Sequence, residues 1–347
     1  MKKSLKLLSS MMLLVIILVG CGSEAEVGAT EFTFGEELAF TMENEEEINL
    51  DLEKSNAAVK EKYDTLYAAF SAVDMNNVAI ASTSTVNMLS EIGFLPKASV
   101  ESKSLKPEIA EKLVTEAGET EGEIINIGSA LTPNVEIIAK NGIEMVILSD
   151  ALPPTSWETS LTELGIKVQR LNQSEYSDMF VILQVFKDLD ILDNAVINEK
   201  MFSMKNDLEI VNELQVNHEG NKSIALLQMM GEVTYINGDS SVLGKVTKGL
   251  STENVFGSSE SSEINIEEML MQNPEYLIVY GAGLTQEALV QTFEKQFTSP
   301  ESALSELQAV KNEQYVFLGD DSFEFIGSID FNVTKVMRQI VEGIYGE

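Results

Sequence analysis

Residues 176–215 read "YSDMFVILQVFKDLDILDNAVINEKMFSMKNDLEIVNELQ" and contain neither glycine nor proline. Apolar side chains recur on one helical face at Met179, Leu183, Phe186 and Leu189, and further apolar positions follow. This spacing predicts one long helix or two helices that meet end to end. The sequence on both sides of the segment alternates between strands and helices, so we expect the segment to link two α/β lobes.

The sequence before this segment predicts the first lobe. Four stretches are rich in β-branched residues and are typical of strands: "NVAIAS" (77–82), "EIINIG" (123–128), "EMVILS" (144–149) and "KVQRL" (167–171). Helical spacing that ends in glycine predicts helices in "TVNMLSEIG" (85–93), "KPEIAEKLVTEAG" (106–118) and "NVEIIAKNG" (134–142). Such alternation predicts a parallel sheet with right-handed crossovers.

The same alternation resumes after the segment. Strands are predicted in "SIALLQMMG" (223–231), "YLIVYGAG" (276–283) and "QYVFLGD" (314–320). Helices are predicted in "NIEEMLMQNP" (265–274), "LTQEALVQTFEKQF" (284–297) and "NVTKVMRQIVEGIYG" (332–346). The expected fold is α/β, with two Rossmann-like lobes of parallel sheet joined by a long helix. Ligands of such sheets bind at the carboxyl ends of the strands, so a ligand cleft is expected between the lobes.

The N-terminus has the pattern of an export signal. Residues 1–26 read "MKKSLKLLSSMMLLVIILVGCGSEAE", with a basic start and an apolar run over Leu7–Val19. This run is shorter than the roughly 20 residues that span a bilayer. The tail "LVGC" is similar to the lipobox of bacterial lipoproteins, which implies cleavage before Cys21 and a diacylglyceryl group on its sulfur. Such an anchor would hold the protein at the extracellular face of the cell membrane.

The predicted division of the chain is therefore a signal peptide (1–20), an acidic tether (21–55), a first lobe (56–175), a linking helix (176–216) and a second lobe (217–347). Within the tether, "EFTFGEELAF" (31–40) has the alternation of a strand added to the first lobe.

The charge and cysteine content exclude several classes of function. Lys and Arg total 23 and Asp and Glu total 56, which gives a formal charge of −33. Such a surface repels phosphate backbones, so we expect no nucleic-acid partner. Cys21 is the only cysteine, so an intrachain disulfide and a cysteine metal site are both excluded.

Enzyme motifs are also absent from the sequence. It lacks the G-x-S-x-G, P-loop and G-x-G-x-x-G patterns, and we predict that the chain is not an enzyme. His218, the only histidine, lies in a polar turn and is predicted at the surface. One histidine is too few for a zinc or manganese receptor. The pair of aspartates in "GDD" (319–321) more simply ends a strand.

Three motifs in order resemble the substrate-binding lipoproteins of ABC importers for iron–siderophores, cobalamin and haem. They are "GSALTPNVEIIAKNGIEMVILS" (128–149), Met230–Gly231 and "FEFIGSIDFNV" (323–333). The resemblance covers about residues 76–347 and is greatest to the haem-receptor lipoproteins of Gram-positive bacteria. It implies a monomer that needs no cofactor, captures haem or another iron complex, and delivers it to an ABC permease dimer with its ATPase. A ferric-siderophore or corrinoid receptor and a non-transport surface sensor remain alternatives.

The resemblance also implies site residues. Glu136 and Glu267 match the carboxylates that dock each lobe onto the permease. The residues expected to contact the ligand are Ser84, Ser129, Leu131, Thr132, Trp157, Tyr235, Asp239 and Phe325. Trp157 is included because it follows the carboxyl end of a predicted strand.

The haem receptors of this family ligate iron with a methionine and a histidine, and this chain has neither at the matching places. It has Leu131 at the first place and, near the second, "TYINGDSSV" (234–242), which contains no histidine. If haem binds, the candidate iron ligands are Tyr235, Met88 and Met230.

Overall fold

A computed structural model of the chain describes residues 30–34, 38–44, 46–115, 122–218, 220–281, 283–319 and 328–346. The predicted signal peptide, Cys21 and Phe325 lie outside these residues. The described chain begins with a small antiparallel sheet in the order β1-β2-β3. Its strands are β1 (Thr30–Phe34), β2 (Leu38–Asn44) and β3 (Glu47–Leu50).

The first lobe contains a six-stranded parallel sheet in the order β11-β10-β4-β5-β7-β6. A hairpin of β8 and β9 lies between β7 and β10 in the chain. The bounds are β4 (Val78–Ile80), β5 (Ala98–Ser99), β6 (Leu113–Val114), β7 (Ile124–Asn126), β8 (Gly128–Ser129), β9 (Thr132–Pro133), β10 (Met145–Ser149) and β11 (Lys167–Leu171). All five residues of β10 are buried, as in a parallel strand that is covered on both faces.

Helices surround this sheet: α1 (Ala57–Phe70), α2 (Thr83–Ser90), α3 (Pro107–Ala110), α4 (Val135–Lys140) and α5 (Ser156–Glu163). A 3₁₀ turn, Met75–Asn77, precedes β4. The helix predicted over residues 106–118 is wrong for residues 111–115, and residues 116–118 lie outside the described residues. Leu113 and Val114 instead pair with Ile124 and Ile125 at the edge of the sheet.

Two helices connect the lobes, α6 (Tyr176–Asp188) and α7 (Asn194–Val216). Asp190 lies between them in the left-handed region with φ +50°, and the Asp193 side chain caps α7 by accepting a hydrogen bond from the Ala195 N–H. The structure therefore has two helices end to end, one of the two arrangements that the sequence predicted. Every residue from Ser177 to Lys187 is buried, so α6 lies inside the protein.

The N-terminal sheet packs on these two helices. Phe40 is fully buried, with its ring centroid 4.9 Å from that of Phe180 on α6. The Lys187 ammonium donates to the Ile48 carbonyl at 2.9 Å, and the Gln184 side chain accepts from the Leu50 N–H at 2.7 Å. The interpretation as a tether therefore does not hold for residues 38–44 and 47–50, because their apolar side chains belong to the core.

The second lobe contains a sheet in the order β15-β13-β12-β16-β17, and β14 also pairs with β12. The bounds are β12 (Lys222–Met230), β13 (Val233–Asn237), β14 (Thr252–Asn254), β15 (Ser262–Glu263), β16 (Tyr276–Gly281) and β17 (Tyr315–Phe317). Strands β12, β14, β16 and β17 are parallel, whereas β13 runs antiparallel to both of its neighbours. This sheet is mixed, which differs from the parallel sheet that the sequence predicted.

The helices of the second lobe are α8 (Val242–Thr247), α9 (Ile266–Gln272), α10 (Gln286–Phe293), α11 (Gln308–Lys311) and α12 (Val333–Tyr345). A π-helical turn, Glu294–Thr298, follows α10, and a 3₁₀ turn, Ala303–Glu306, precedes α11. The α12 helix packs along α7, and one large apolar cluster includes residues of both lobes, α6, α7 and α12. Within the described residues, no helix combines the length and apolar character of a membrane span. The predicted α/β fold with two lobes and a helical link is confirmed.

Candidate functional site at the carboxyl edges of the two sheets

The parallel strands of the first lobe end at one edge, where hydroxyl groups follow β4. Ser82 caps α2 by accepting a hydrogen bond from the Thr85 N–H, and its hydroxyl lies 3.0 Å from that of Ser84. Ser84 is half-buried at this edge. The structure thus places Ser84 where ligands of open α/β sheets bind.

The β8–β9 hairpin extends the same edge after β7. Gly128 begins it with φ +89°, a conformation that favours glycine. The hydroxyl groups of Ser129 and Thr132 lie 2.8 Å apart, and Leu131 is 60 % exposed at the tip. The three predicted residues are therefore together, with one apolar side chain and two hydroxyl groups facing solvent.

The second lobe presents a row of polar and aromatic residues near its carboxyl edge. Gln228 on β12 is in register with Tyr235 on β13 and Tyr280 on β16. Because side chains alternate along a strand, these three lie on one face, opposite to Leu227 and Met229. Gln228 is buried, and burial raises the pKa of Tyr280 well above its usual value. Sequence analysis missed Gln228, although a glutamine within an apolar strand was a usable signal.

Met230 and Tyr235 lie on this same face. Met230 pairs with Val233 two residues before Tyr235, so the two side chains are diagonal neighbours at a spacing of roughly 7–8 Å. Met230 is 45 % exposed and Tyr235 is half-buried. Of the three candidate iron ligands, these two are brought together by the fold.

Two predicted site residues instead belong to the core of the first lobe. Trp157 is 8 % exposed within the apolar cluster of Ile138 and Leu161. Met88 is 1 % exposed, and its sulfur accepts a hydrogen bond from the Gln173 side chain at 3.2 Å. Both predictions are corrected, because neither side chain is open to a ligand in this structure.

Asp239 also lies away from the predicted site. Strand β13 is antiparallel to β12, so its carboxyl end points toward the amino edge of the sheet. There Asp239 accepts a hydrogen bond from the Asn254 amide at 3.2 Å, and its main-chain N–H donates to the Gly257 carbonyl. The direction of one strand therefore moves Asp239 from the ligand edge to a loop contact.

Glu136 and Glu267 occupy equivalent positions in the two lobes. Each is the second residue of a short helix, α4 or α9, and each helix is capped by an asparagine, Asn134 or Asn265. Both helices begin at the carboxyl edge of their sheet, since α4 follows the β8–β9 hairpin and α9 follows β15, which is parallel to β12. Both carboxylates are exposed, and neither has an ion-pair partner among the residues that the structure describes. A negative charge is favourable at this end of a helix.

Metal-binding side chains are sparse in the described part of the chain. No group of three or more His, Cys, Asp or Glu residues is arranged there to hold a metal ion. His218 is exposed, as predicted, and its ring stacks on Tyr345 at 4.8 Å between centroids.

Comparison with known proteins finds one matching family model. Residues 194–322 match the model described as periplasmic binding protein. The match begins at α7 and extends past β17, over the linking helix and most of the second lobe. The matched family consists of solute-binding proteins, which agrees with the prediction that the chain is not an enzyme. No curated protein matches the chain.

Solved binding proteins share this fold over 77–78 % of the chain. The S. aureus IsdE protein complexed with heme is 18 % identical, with a TM-score of 0.55 over 78 % of this chain and 100 % of that one. The periplasmic heme-binding protein RhuT from Roseiflexus sp. RS-1 is 14 % identical, with a TM-score of 0.55 over 78 % and 98 %. The catecholate-siderophore binding protein VctP from Vibrio cholerae is 14 % identical, with a TM-score of 0.55 over 77 % and 93 %.

Proposed function

We propose that this chain is the substrate-binding lipoprotein of an ABC importer, anchored through Cys21 at the extracellular face of the membrane. It captures haem or another iron complex and delivers it to a permease dimer that is driven by a separate ATPase. The family match and the two-lobed fold support a solute-binding role. The lipobox-like "LVGC" supports the anchor.

The observation that carries the transport role is the matched pair of exposed glutamates. Each lobe presents one carboxylate on the first turn of an asparagine-capped helix, at the edge where ligands bind. A permease with two-fold symmetry offers two equivalent basic positions, so one ion pair per lobe sets the register of the complex. Contacts within the described part of the chain do not account for either carboxylate, since both are exposed and form no ion pair there.

Charge reversal tests this role. We expect the double variant Glu136→Lys and Glu267→Lys to bind ligand as the parent chain does but to support no uptake, because repulsion replaces both ion pairs. Uptake of iron from radiolabelled haemin by cells that depend on this chain measures the effect. Glu268→Lys is the matched control, because it makes the same charge change one residue from Glu267. Undiminished uptake by the double variant would contradict docking and favour a surface sensor.

The ligand is proposed from the exposed Met230 and the half-buried Tyr235. A thioether and a phenol are both known axial ligands of haem iron. Ferric siderophores and corrinoids, whose metals arrive fully coordinated, need only the polar and aromatic row of Tyr235, Gln228 and Tyr280. Absorption titration with each ligand class distinguishes these cases.

A further inference from the structure

A buried segment of the second lobe is held by the first lobe. Residues 328–332, here called the strap, precede α12, which packs on α7 and β17. Ser328, Ile329 and Phe331 of the strap are at most 5 % exposed. The strap contacts the first lobe near both ends of α2, through Ile329 and Asn332.

Gln173 makes the contact at the amino-terminal end of α2. It lies two residues after the end of β11 and is 2 % exposed. Its main-chain carbonyl accepts a hydrogen bond from the Ile329 N–H at 2.9 Å, and its side-chain amide donates to the Ile329 carbonyl at 3.2 Å. The side chain thus completes a pair of hydrogen bonds that resembles one step of a β-ladder.

The remaining polar atoms of Gln173 bind the ligand edge of the first lobe. Its Oε1 accepts from the Thr85 hydroxyl at 2.8 Å, and its N–H donates to the Asp150 carboxylate at 3.2 Å. Thr85 is fully buried and is adjacent to Ser84. Gln173 therefore joins the first turn of α2, the loop after β10 and the strap within one network.

Glu91 makes the contact at the other end of α2. Its carboxylate accepts from the Asn332 side chain at 3.4 Å and from the Lys106 and Lys200 ammonium groups at 3.0 and 3.3 Å. Lys200 lies on α7 and also sits 5.9 Å from the centroid of the Phe331 ring. The strap is thus fixed to the first lobe at two points along α2.

We propose that Gln173 and Thr85 are positioning residues. Gln173 holds the strap against the first lobe, Thr85 orients the Gln173 side chain, and this hydrogen-bonded unit, here called the latch, sets the spacing of the two ligand-facing edges before any ligand binds. A change in that spacing must separate Ile329 from Gln173 and leave buried polar atoms without partners, which costs more than losing an exposed contact. The ligand then binds to edges whose spacing is already fixed, and binding is tighter because less conformational entropy is lost. The consequence for affinity rests on the proposed function; the latch itself does not.

A distance measurement without ligand tests the latch. The chain from residue 22 onward contains no cysteine, so Lys140→Cys on α4 and Met271→Cys on α9 accept spin labels specifically. We expect one narrow interlobe distance in the parent, and a distribution about twofold wider in Gln173→Leu, because an unlatched strap samples more arrangements. Gln169→Leu is the matched control, since this residue lies on β11 and its amide donates only to Arg170.

A second pair of variants keeps the test decisive if Gln173→Leu does not fold. Thr85→Val removes the hydroxyl that binds Gln173 and should broaden the distribution, whereas Thr85→Ser retains the hydroxyl and should restore the parent width. If folded Gln173→Leu has the same width of interlobe distance distribution as the parent, the latch is overturned. If Gln173→Leu does not fold, the same result in Thr85→Val overturns it.

Ligand affinity provides the second readout. If loss of the latch leaves about a tenth of the molecules with competent spacing, the apparent Kd for haemin rises about tenfold. An unchanged Kd in a variant with a broadened distribution would overturn the link between spacing and affinity. Absence of haemin binding in the parent chain would count against haem as the ligand of the proposed function, and the ligand-free distances would still decide the latch.

Discussion

Phe40→Ala tests whether the N-terminal sheet belongs to the folded body. Phe40 is fully buried on β2 and packs edge-on against Phe180, with 4.9 Å between centroids and an interplanar angle of 64°. Removal of the ring leaves a cavity between β2 and α6, next to side chains that are themselves fully buried. Phe→Ala substitutions at such positions cost about 3–5 kcal/mol of unfolding free energy.

The tether interpretation predicts a much smaller change in the unfolding free energy. If residues 21–55 were a solvated tether, the substitution would change the unfolding free energy by no more than about 0.5 kcal/mol, as exposed substitutions do. The two expectations therefore differ by several kilocalories per mole. This gap exceeds the error of a denaturant experiment on a domain of ordinary stability.

Urea unfolding followed by circular dichroism measures the difference. We expect Phe40→Ala to lower the midpoint concentration while the slope stays the same, because the native fold is retained at lower stability. Leu164→Ala is the control, since that leucine is 58 % exposed and its loss should have little effect. A Phe40→Ala midpoint equal to that of the control would refute the packing of β2 on α6.

Three further predictions concern other parts of the fold. Arg170→Met should cost about 1–2 kcal/mol at pH 7, because Arg170 binds both Glu158 carboxylate oxygens at 2.7 and 3.1 Å. Burial, the largest single effect, would raise the pKa of Glu158, but the hydrogen bonds from Arg170 and Thr155 and the charge of Arg170 together outweigh it and hold that pKa below its usual value. The stability from this pair is therefore fully present above the usual carboxyl pKa of about 4.3 and is lost as the pH falls and Glu158 is protonated, so the difference between parent and variant should fade in urea titrations at lower pH. Gly244→Ala should cost about 1–3 kcal/mol in thermal unfolding, because an added methyl group overlaps the main chain of Gly238 and Asp239; an unchanged Tm would contradict this close approach. Asn134→Ala and Asn265→Ala should each cost about 1 kcal/mol and weaken uptake without changing ligand affinity, because each residue caps a helix that presents a docking glutamate; loss of ligand binding would show a wider role.

The regular parts of the fold follow from local patterns. Buried strands such as β10 and β12 are continuous apolar runs, and α12 repeats its apolar residues at helical spacing, so both types of element could be predicted from sequence. The N-terminal sheet was predicted only as one strand over residues 31–40, because its buried residues Leu38, Phe40 and Ile48 are short alternations within an acidic segment. Composition indicated solvent exposure there, whereas packing on α6 and α7 decided the outcome.

The site was predictable only in part, for a different reason. The Ser129–Thr132 hairpin and the two glutamates were predicted from the resemblance to a known family, and the structure places them at the carboxyl edges. The direction of β13 decides where Asp239 lies, and the two-residue turn Gly231–Glu232 was a local hairpin signal that the sequence analysis did not use. The role of Gln173 depends on Ile329, 156 residues away in the chain, and a contact at that separation leaves no periodic signal.

Absorption titration of the chain from residue 22 onward tests the central claim most directly. Haemin, a ferric catecholate complex and a corrinoid are titrated in parallel, and the Soret region is followed for haemin. The account predicts saturable binding of one of them, with haemin first, and a haemin band that changes in Tyr235→Phe or Met230→Leu. The absence of saturable binding for all three ligands would contradict the claim that this protein captures an iron or tetrapyrrole ligand.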